Sequence, residues 1–256
     1  MMKSAAQPAW AQTISLTGRT VLVIGGSGGV GEGVVRTLID DGARVVATGR
    51  DQSRLQGLAG RIDSARLDVT LLDALDPDLD EQAAALAAKF GLFDGVVVSL
   101  ASSINLQRKP LLSLDNAEWE AQRLVPDLTS IFRLYRATVP YMQPSGALIS
   151  LNGYSADLPI PGNGGNSIAA AAAKAMTRTV AAELIQTGPR VYGVMMGVVR
   201  TRARQVAGID NPEWIDGTEI GAHVAELVAG ASPLNNLDLH YFIEKSLGPQ
   251  PTLPPR

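Results

Sequence analysis

The chain has 256 residues, of which 46% are hydrophobic and 18% charged, with 22 basic and 25 acidic side chains and a net charge of −3. This composition suits one folded domain with its own core, and without a clustered Lys/Arg run it builds no positive field for nucleic acid. The lack of cysteine excludes disulfides and thiolate chemistry, and two histidines set apart, His223 and His240, exclude a multi-histidine metal site, so a small-molecule partner and no metal are expected.

The opening segment MMKSAAQPAWAQTISL has no apolar stretch of signal-peptide length, and no run approaches the ~18 apolar residues of a membrane-spanning helix. The expectation is a cytoplasmic protein with no membrane partner, in which residues 1–16 form an N-terminal extension. From Arg19, RTVLVIGGSGGVGEGVVRTLIDDGARVVATGR reads as a β-branched run, a Gly-rich turn, a helix-period stretch ending at Gly42 and a second β-branched run. That pattern is a βαβ unit with a right-handed crossover. Further strands are expected at 64–69, 95–100, 147–151 and 191–196, alternating with helices at 80–90, 118–141 and 167–186. Such alternation predicts α/β architecture: a single-domain, doubly wound parallel sheet over residues 1–256, a three-layer α/β/α Rossmann fold. The Gly/Pro-rich breaks at 159–165 and around 208–217 are short enough to be active-site loops, and the tail GPQPTLPPR, residues 248–256, is expected to be extended and mobile.

Gly25, Gly29 and Gly31 follow the first strand and open the first helix, with Ser27 and Val30 in the same turn. Glycines there permit a tight turn and let backbone N–H groups approach a pyrophosphate at the positive end of the helix dipole. A compact turn alone needs one or two glycines, and GGSGGVGEG supplies more. Where NAD binders carry an acid for the ribose hydroxyl, at the end of the second strand, this chain has Gly49 and Arg50. A guanidinium in place of a carboxylate suits a 2′-phosphate and points to NADP(H), the alternative being a solvated surface charge.

Over residues 17–201 the chain resembles the short-chain dehydrogenase/reductase family. The glycine pattern is that family's, with Ile24 where Thr is common, and "RLDVT" resembles the stretch whose Asp and Val, here Asp68 and Val69, border the adenine. "FGLFDGVVVSLAS" resembles the segment leading to the family's Asn-Asn-Ala-Gly, although it reads Val98-Ser99-Leu100-Ala101, and "VMMGVVRT" resembles its Pro-Gly segment with Met196 in place of Pro. The resemblance therefore implies cofactor contacts from Ala101 and from Thr201, the latter to the nicotinamide carboxamide. It also implies a homodimer or homotetramer, since the family commonly pairs across an interface the helix that here carries the alanine run 169–173.

The family's catalytic tetrad is missing. "MTRTVAAEL" resembles the helix segment downstream of the family Lys, which puts that Lys at Ala170 and the Tyr at Asn166. Taking Lys174 instead would shift the anchor by four residues and restore no Tyr-Lys pair. The Ser position falls on Gly153 and the Asn position on Asp127, in a segment, "DLTSIFRLYRATVPYM", that resembles the family helix beginning with its Asn. In carbonyl reduction a phenol gives its proton to a developing alkoxide, and neither Asn166 nor Ala170 can do or tune that. The remaining candidates for chemistry are Tyr154, Asp157 and Asp127, each with a structural alternative: ring packing, a turn before Pro159, and a helix N-terminal bend beside Pro126. Arg200, Arg202 and Arg204 could meet an anion or be solvated.

Three functions fit this pattern. The first is an NADP(H)-dependent oxidoreductase acting on an imine, an iminium or another acceptor that needs no phenolic proton donor; the second is a silent NADP(H)-binding regulator or structural partner; the third is a redox-neutral cyclase or isomerase.

Overall fold

The computed structural model describes residues 8–100, 109–118 and 124–255, and of residues 124–126 the backbone. The first strand, β1 (Thr20–Ile24), is a run of large apolar and β-branched residues because both of its faces are covered: Val21, Leu22 and Val23 are wholly buried. It leads through the glycine turn into α1 (Gly29–Asp40), then β2 (Arg44–Gly49), α2 (Gln52–Ile62), β3 (Leu67–Leu71), α3 (Leu79–Phe90) and β4 (Phe93–Val98). The second half supplies α4 (Leu124–Thr138), β5 (Met142–Gly153), α5 (Gly164–Leu184), β6 (Arg190–Met196), a short β7 (Val199–Arg200), α6 (Arg202–Val206), β8 (Ile215–Asp216), α7 (Gly217–Ala229) and β9 (Leu239–Phe242).

Among the described residues seven strands form one parallel sheet in the order β3-β2-β1-β4-β5-β6-β9. Alternate residues of each strand feed opposite cores. Val21, Val23, Val45 and Ala47 pack with Val34 and Leu38 of α1 and Val224 and Leu227 of α7. On the other face Leu22, Ile24, Val46 and Val96 pack with Leu79 and Leu86 of α3 and Leu134 of α4. The strand order reverses between β1 and β4, so a crevice opens beyond their carboxyl ends, where sheets of this kind hold ligands.

The expected doubly wound sheet is observed, with elements that the sequence pattern does not place, among them α2 between β2 and β3 and the β7–β8 pair. Residues 217–229, placed after a loop break, form α7, whose Gly217 lies so close to Gly33 of α1 that a Cβ on Gly33 would come within 2.2 Å of its carbonyl carbon. A seventh strand, β9, joins the sheet beside β6. The tail is extended but not loose, because Gln250 and Tyr241 exchange backbone hydrogen bonds of 2.9 and 2.8 Å and the buried Gly248 abuts Trp10. The N-terminal segment is docked as well: Trp10 stands edge-on to Phe242 at 5.1 Å, and the Gln12 N–H donates to Glu226 Oε1 at 2.9 Å.

Candidate active site

At the carboxyl end of β1 the chain turns at Gly25, whose φ of 80° is a left-handed conformation that favours glycine. Its N–H donates to the Thr48 carbonyl at 2.9 Å, which ties the turn to β2. A Cβ on Gly25 would lie 2.2 Å from the Ser99 carbonyl oxygen, one on Gly31 2.2 Å from the Gly25 oxygen, and one on Gly29 2.4 Å from the Thr201 Cβ. All three positions therefore require glycine, and together they leave the amino end of α1 bare of side chains. A pyrophosphate fits such a cradle, because unpaired N–H groups and the helix dipole face it.

Around the cradle, Ser27 sits against Gly49, and the Ser27 carbonyl accepts from Arg54 Nη2 at 3.3 Å. Arg50 is exposed directly after β2. Arg54 carried no sequence signal of its own; its place follows from the Asp51 side chain, which accepts from the Arg54 N–H and so starts α2 beside the turn. Val30 is half-buried against the core, and Thr201 is buried beside Gly29, where its hydroxyl caps α6. Ala101 lies outside the described residues.

Asp68 and Val69 stand elsewhere than the motif suggests. Asp68 pairs with Val46 in mid-strand, three residues before Gly49 and its partner Leu71, about 10 Å short of the crevice at the rise of a parallel strand. Its carboxylate binds Arg44 at 3.0 Å. Leu72, whose N–H donates to the Gly49 carbonyl, and Asp73 occupy the strand end instead.

Of the positions that the resemblance assigns to the tetrad, Gly153 and Ala170 are linked through Asn152, and Asn166 lies one turn before Ala170. Gly153 closes β5, and a Cβ there would meet only Ser155 Oγ at 3.6 Å, so the space for a side chain remains. Asn166 lies in the first turn of α5 and donates to Asn163 Oδ1; one turn on, the Ala170 carbonyl accepts from Asn152 Nδ2 at 2.8 Å. Asp127 is half-buried in the first turn of α4, and Tyr154 is half-buried directly after Gly153.

Asp157 ends the turn that Tyr154 begins, and its carboxylate is engaged from α5. Lys174, one turn beyond Ala170 on the same face of α5, donates to Asp157 Oδ1 and, at 3.1 Å, to the Tyr241 hydroxyl on β9. Burial pushes the Lys174 pKa down, but its bonds to Asp157 and Tyr241 outweigh that and hold it above the ordinary lysine range. The negative charge on Asp157 is thus answered within the protein. The arginines after the cofactor segment are engaged too: Arg200 binds Asp210 at 2.6 and 2.7 Å, and Arg204 donates to the Val199 carbonyl and lies 5.6 Å over Trp214. Arg202 is exposed.

Residues 25–229 match a family model described as enoyl-(acyl carrier protein) reductase. The chain is 30% identical over 210 residues to the NADH enoyl-acyl-carrier-protein reductase FabI of Haemophilus influenzae, covering 77% of this chain and 76% of that protein. It is 28% identical over 219 residues to an uncharacterized oxidoreductase of Staphylococcus epidermidis, covering 85% and 94%. Two solved structures share the fold. A glucose/ribitol dehydrogenase of Brucella melitensis, a short-chain dehydrogenase/reductase, has a TM-score of 0.77 at 21% identity, covering 92% of this chain and 99% of that one. The NADPH-bound short-chain oxidoreductase of Pseudomonas aeruginosa PAO1, which contains an atypical catalytic center, has a TM-score of 0.76 at 23% identity, covering 91% and 98%. The chain belongs to the short-chain dehydrogenase/reductase family of oxidoreductases. Among the described residues no helix is long and apolar enough to cross a membrane, and no cluster of potential metal ligands is found.

Proposed function

We propose that this protein is an NADP(H)-dependent oxidoreductase whose acceptor takes hydride without receiving a proton in the same step, an iminium carbon, or an imine already protonated to iminium before hydride arrives, being the acceptor class that fits best. The observation carrying this reading is an intact glycine cradle at Gly25, Gly29 and Gly31 beside tetrad positions occupied by Gly153, Asn166 and Ala170. NADPH, when bound, supplies the hydride. The cradle would hold its pyrophosphate, Arg50 and Arg54 would meet its 2′-phosphate, and Thr201 would hold the carboxamide. The Asn166 amide can orient a polar group but cannot release a proton, which disfavours an acceptor that becomes an alkoxide. An iminium carbon that gains hydride becomes a neutral amine with no proton required. With Asp157 paired to Lys174, Asp127 in the first turn of α4 and Tyr154 directly after Gly153 are the candidate groups for orienting a cationic acceptor. The NADPH-bound P. aeruginosa structure supports the reading, since the same fold there carries NADPH with an atypical center. Although FabI of H. influenzae uses NADH, Arg50 and Arg54 favour NADPH here.

Nicotinamide fluorescence titrations test the cofactor. Arg50→Ala and Arg54→Ala should each weaken NADPH binding about 10-fold or more, the worth of one charged hydrogen bond, and leave NADH binding little changed. Oxidation of NADPH by cyclic imines but not by simple ketones is the expected turnover. Equal turnover of ketones would overturn the reading that hydride arrives without a proton, and nucleotide binding without oxidation by either class would leave a silent NADP(H)-binding protein.

A further inference from the structure

Lys174 answers a question the vacated tetrad leaves open, namely what fixes the loop that carries Tyr154. The loop leaves β5 at Gly153, makes a single 3-10 turn over Tyr154–Ala156, and receives two backbone hydrogen bonds at the Tyr154 carbonyl, from the N–H of Asp157 at 3.0 Å and of Leu158 at 3.1 Å. Tyr154 and Asp157 are thereby one unit, and what holds Asp157 holds Tyr154.

Asp157 is gripped from one side only. Its Oδ1 accepts from Lys174, while its Oδ2 is shut from solvent and has no hydrogen-bond partner among the described residues. The carboxylate is 22% exposed and keeps its place because Lys174, 18% exposed, offsets its charge; without the ammonium the oxygen shut from solvent would have no counter-charge, a costlier arrangement than an apolar pair of the same volume. Tyr241 keeps Lys174 aimed by accepting a second of its protons, and the ammonium lies 5.5 Å from the Tyr241 ring centre.

Gly153 pairs with Met196 and Met196 with Phe242, so the backbone of Tyr241 stands two strands, about 10 Å, from the vacated serine position, and the Lys174 side chain bridges that gap to Asp157.

We propose that Lys174 is a positioning residue, which fixes Tyr154 at the rim of the cleft by clamping Asp157, in place of the lysine absent at Ala170. That the cleft is where hydride passes rests on the function proposed above; the clamp itself does not.

Hydrogen exchange at the Asp157 and Leu158 amides reads the clamp directly, since both donate to the Tyr154 carbonyl. In the full-length protein Lys174→Met should speed exchange at these two amides about tenfold or more. Lys174→Arg should retain protection by keeping the ion pair. The double variant Lys174→Met/Asp157→Leu should also regain it, by removing the charge along with its partner. NADPH affinity should stay within about twofold of the parent throughout, because the cradle lies on β1 and α1. Unchanged exchange in Lys174→Met, or a double variant as open as the single one, would overturn the clamp. Failure of the parent to bind NADPH would sink the functional reading and leave the exchange result standing.

Discussion

His240 should make this protein acid-sensitive well above the range in which most carboxylates titrate. It is wholly buried, its Nε2 faces the carbonyls of Leu234 and Leu237 at 3.0 and 3.1 Å, and its Nδ1 lies 2.8 Å from His223 Nε2. Since carbonyls only accept, Nε2 carries the hydrogen and Nδ1 accepts from His223. Burial, reinforced by the neighbouring His223, lowers the His240 pKa from 6.5 to about 4, against the pull of the two carbonyls and Asp238. The other groups around the ring are the Tyr192 ring at 5.4 Å and, beyond His223, Glu226 at 3.3 Å from His223 Nδ1. Above pH 6.5 both folded and unfolded chains carry neutral His240, and the residue adds nothing to the pH dependence. As the pH falls from 6.5 to 4 the unfolded chain binds a proton that the folded one refuses, so stability drops, by about 3 kcal/mol in all at ~1.4 kcal/mol per unit. His223, also lowered chiefly by burial, acts in the same sense. Replacing His240 by Gln keeps an amide donor and removes the titration. Urea unfolding at pH 7.5, 6, 5 and 4.5 should show the parent losing stability faster than His240→Gln, with the gap between them shrinking by about 1 kcal/mol per pH unit below 6.5. Carboxylate contributions common to both chains cancel in that difference. Parallel stability curves for the two proteins would refute the assignment.

Gly31→Ala should abolish nucleotide binding or destabilise the fold measurably, because its Cβ would sit 2.2 Å from the Gly25 carbonyl; NADPH titration and a melting curve distinguish the two outcomes. Leu22→Ala, at a wholly buried site in the face toward α3 and α4, should cost about 2–5 kcal/mol in urea unfolding. Glu32→Gln should loosen α2 from α1, since Glu32 binds Arg61 at 2.7 Å and Arg36 at 2.9 Å; a loss of about 1–3 kcal/mol is expected, shrinking at acidic pH as the parent carboxylate, whose pKa those arginines hold below its ordinary value against the effect of burial, takes up its proton.

The first βαβ unit could be read from the sequence because a strand buried on both faces is a continuous apolar run, and the glycines after it are each forced by a contact the motif encodes. The later elements gave weaker signals. The break around 208–217 ends where α7 begins and the pattern assigns nothing beyond it, yet Gly217 and Gly221 are there because α7 crosses α1 at Gly33 and Thr37. β9, only LHYF, contains a histidine whose polarity is satisfied by His223 and two carbonyls, contacts no local pattern reveals. The vacated tetrad could be placed by spacing, but the pairing of Lys174 with Asp157 and Tyr241 joins a helix, a loop and a distant strand. Lys174 alone left a trace, its spacing of four from Ala170 on one helix face. Asp68 shows the opposite failure, a motif matched in composition and displaced along its strand.

The exchange of hydrogen bonds between Tyr241 and Gln250 has a consequence for how the molecule behaves in a crowd. β9 is the last strand of the sheet, and an uncovered outer strand offers a row of free donors and acceptors to any neighbouring chain. Here that strand is only four residues long, and the returning tail, running antiparallel and rich in proline, occupies part of its open side. The last residues thus act as a hem on the fabric: cutting the chain before Gly248 should leave the fold largely intact and expose a seam along which copies can join, detectable as a rise in light scattering on warming.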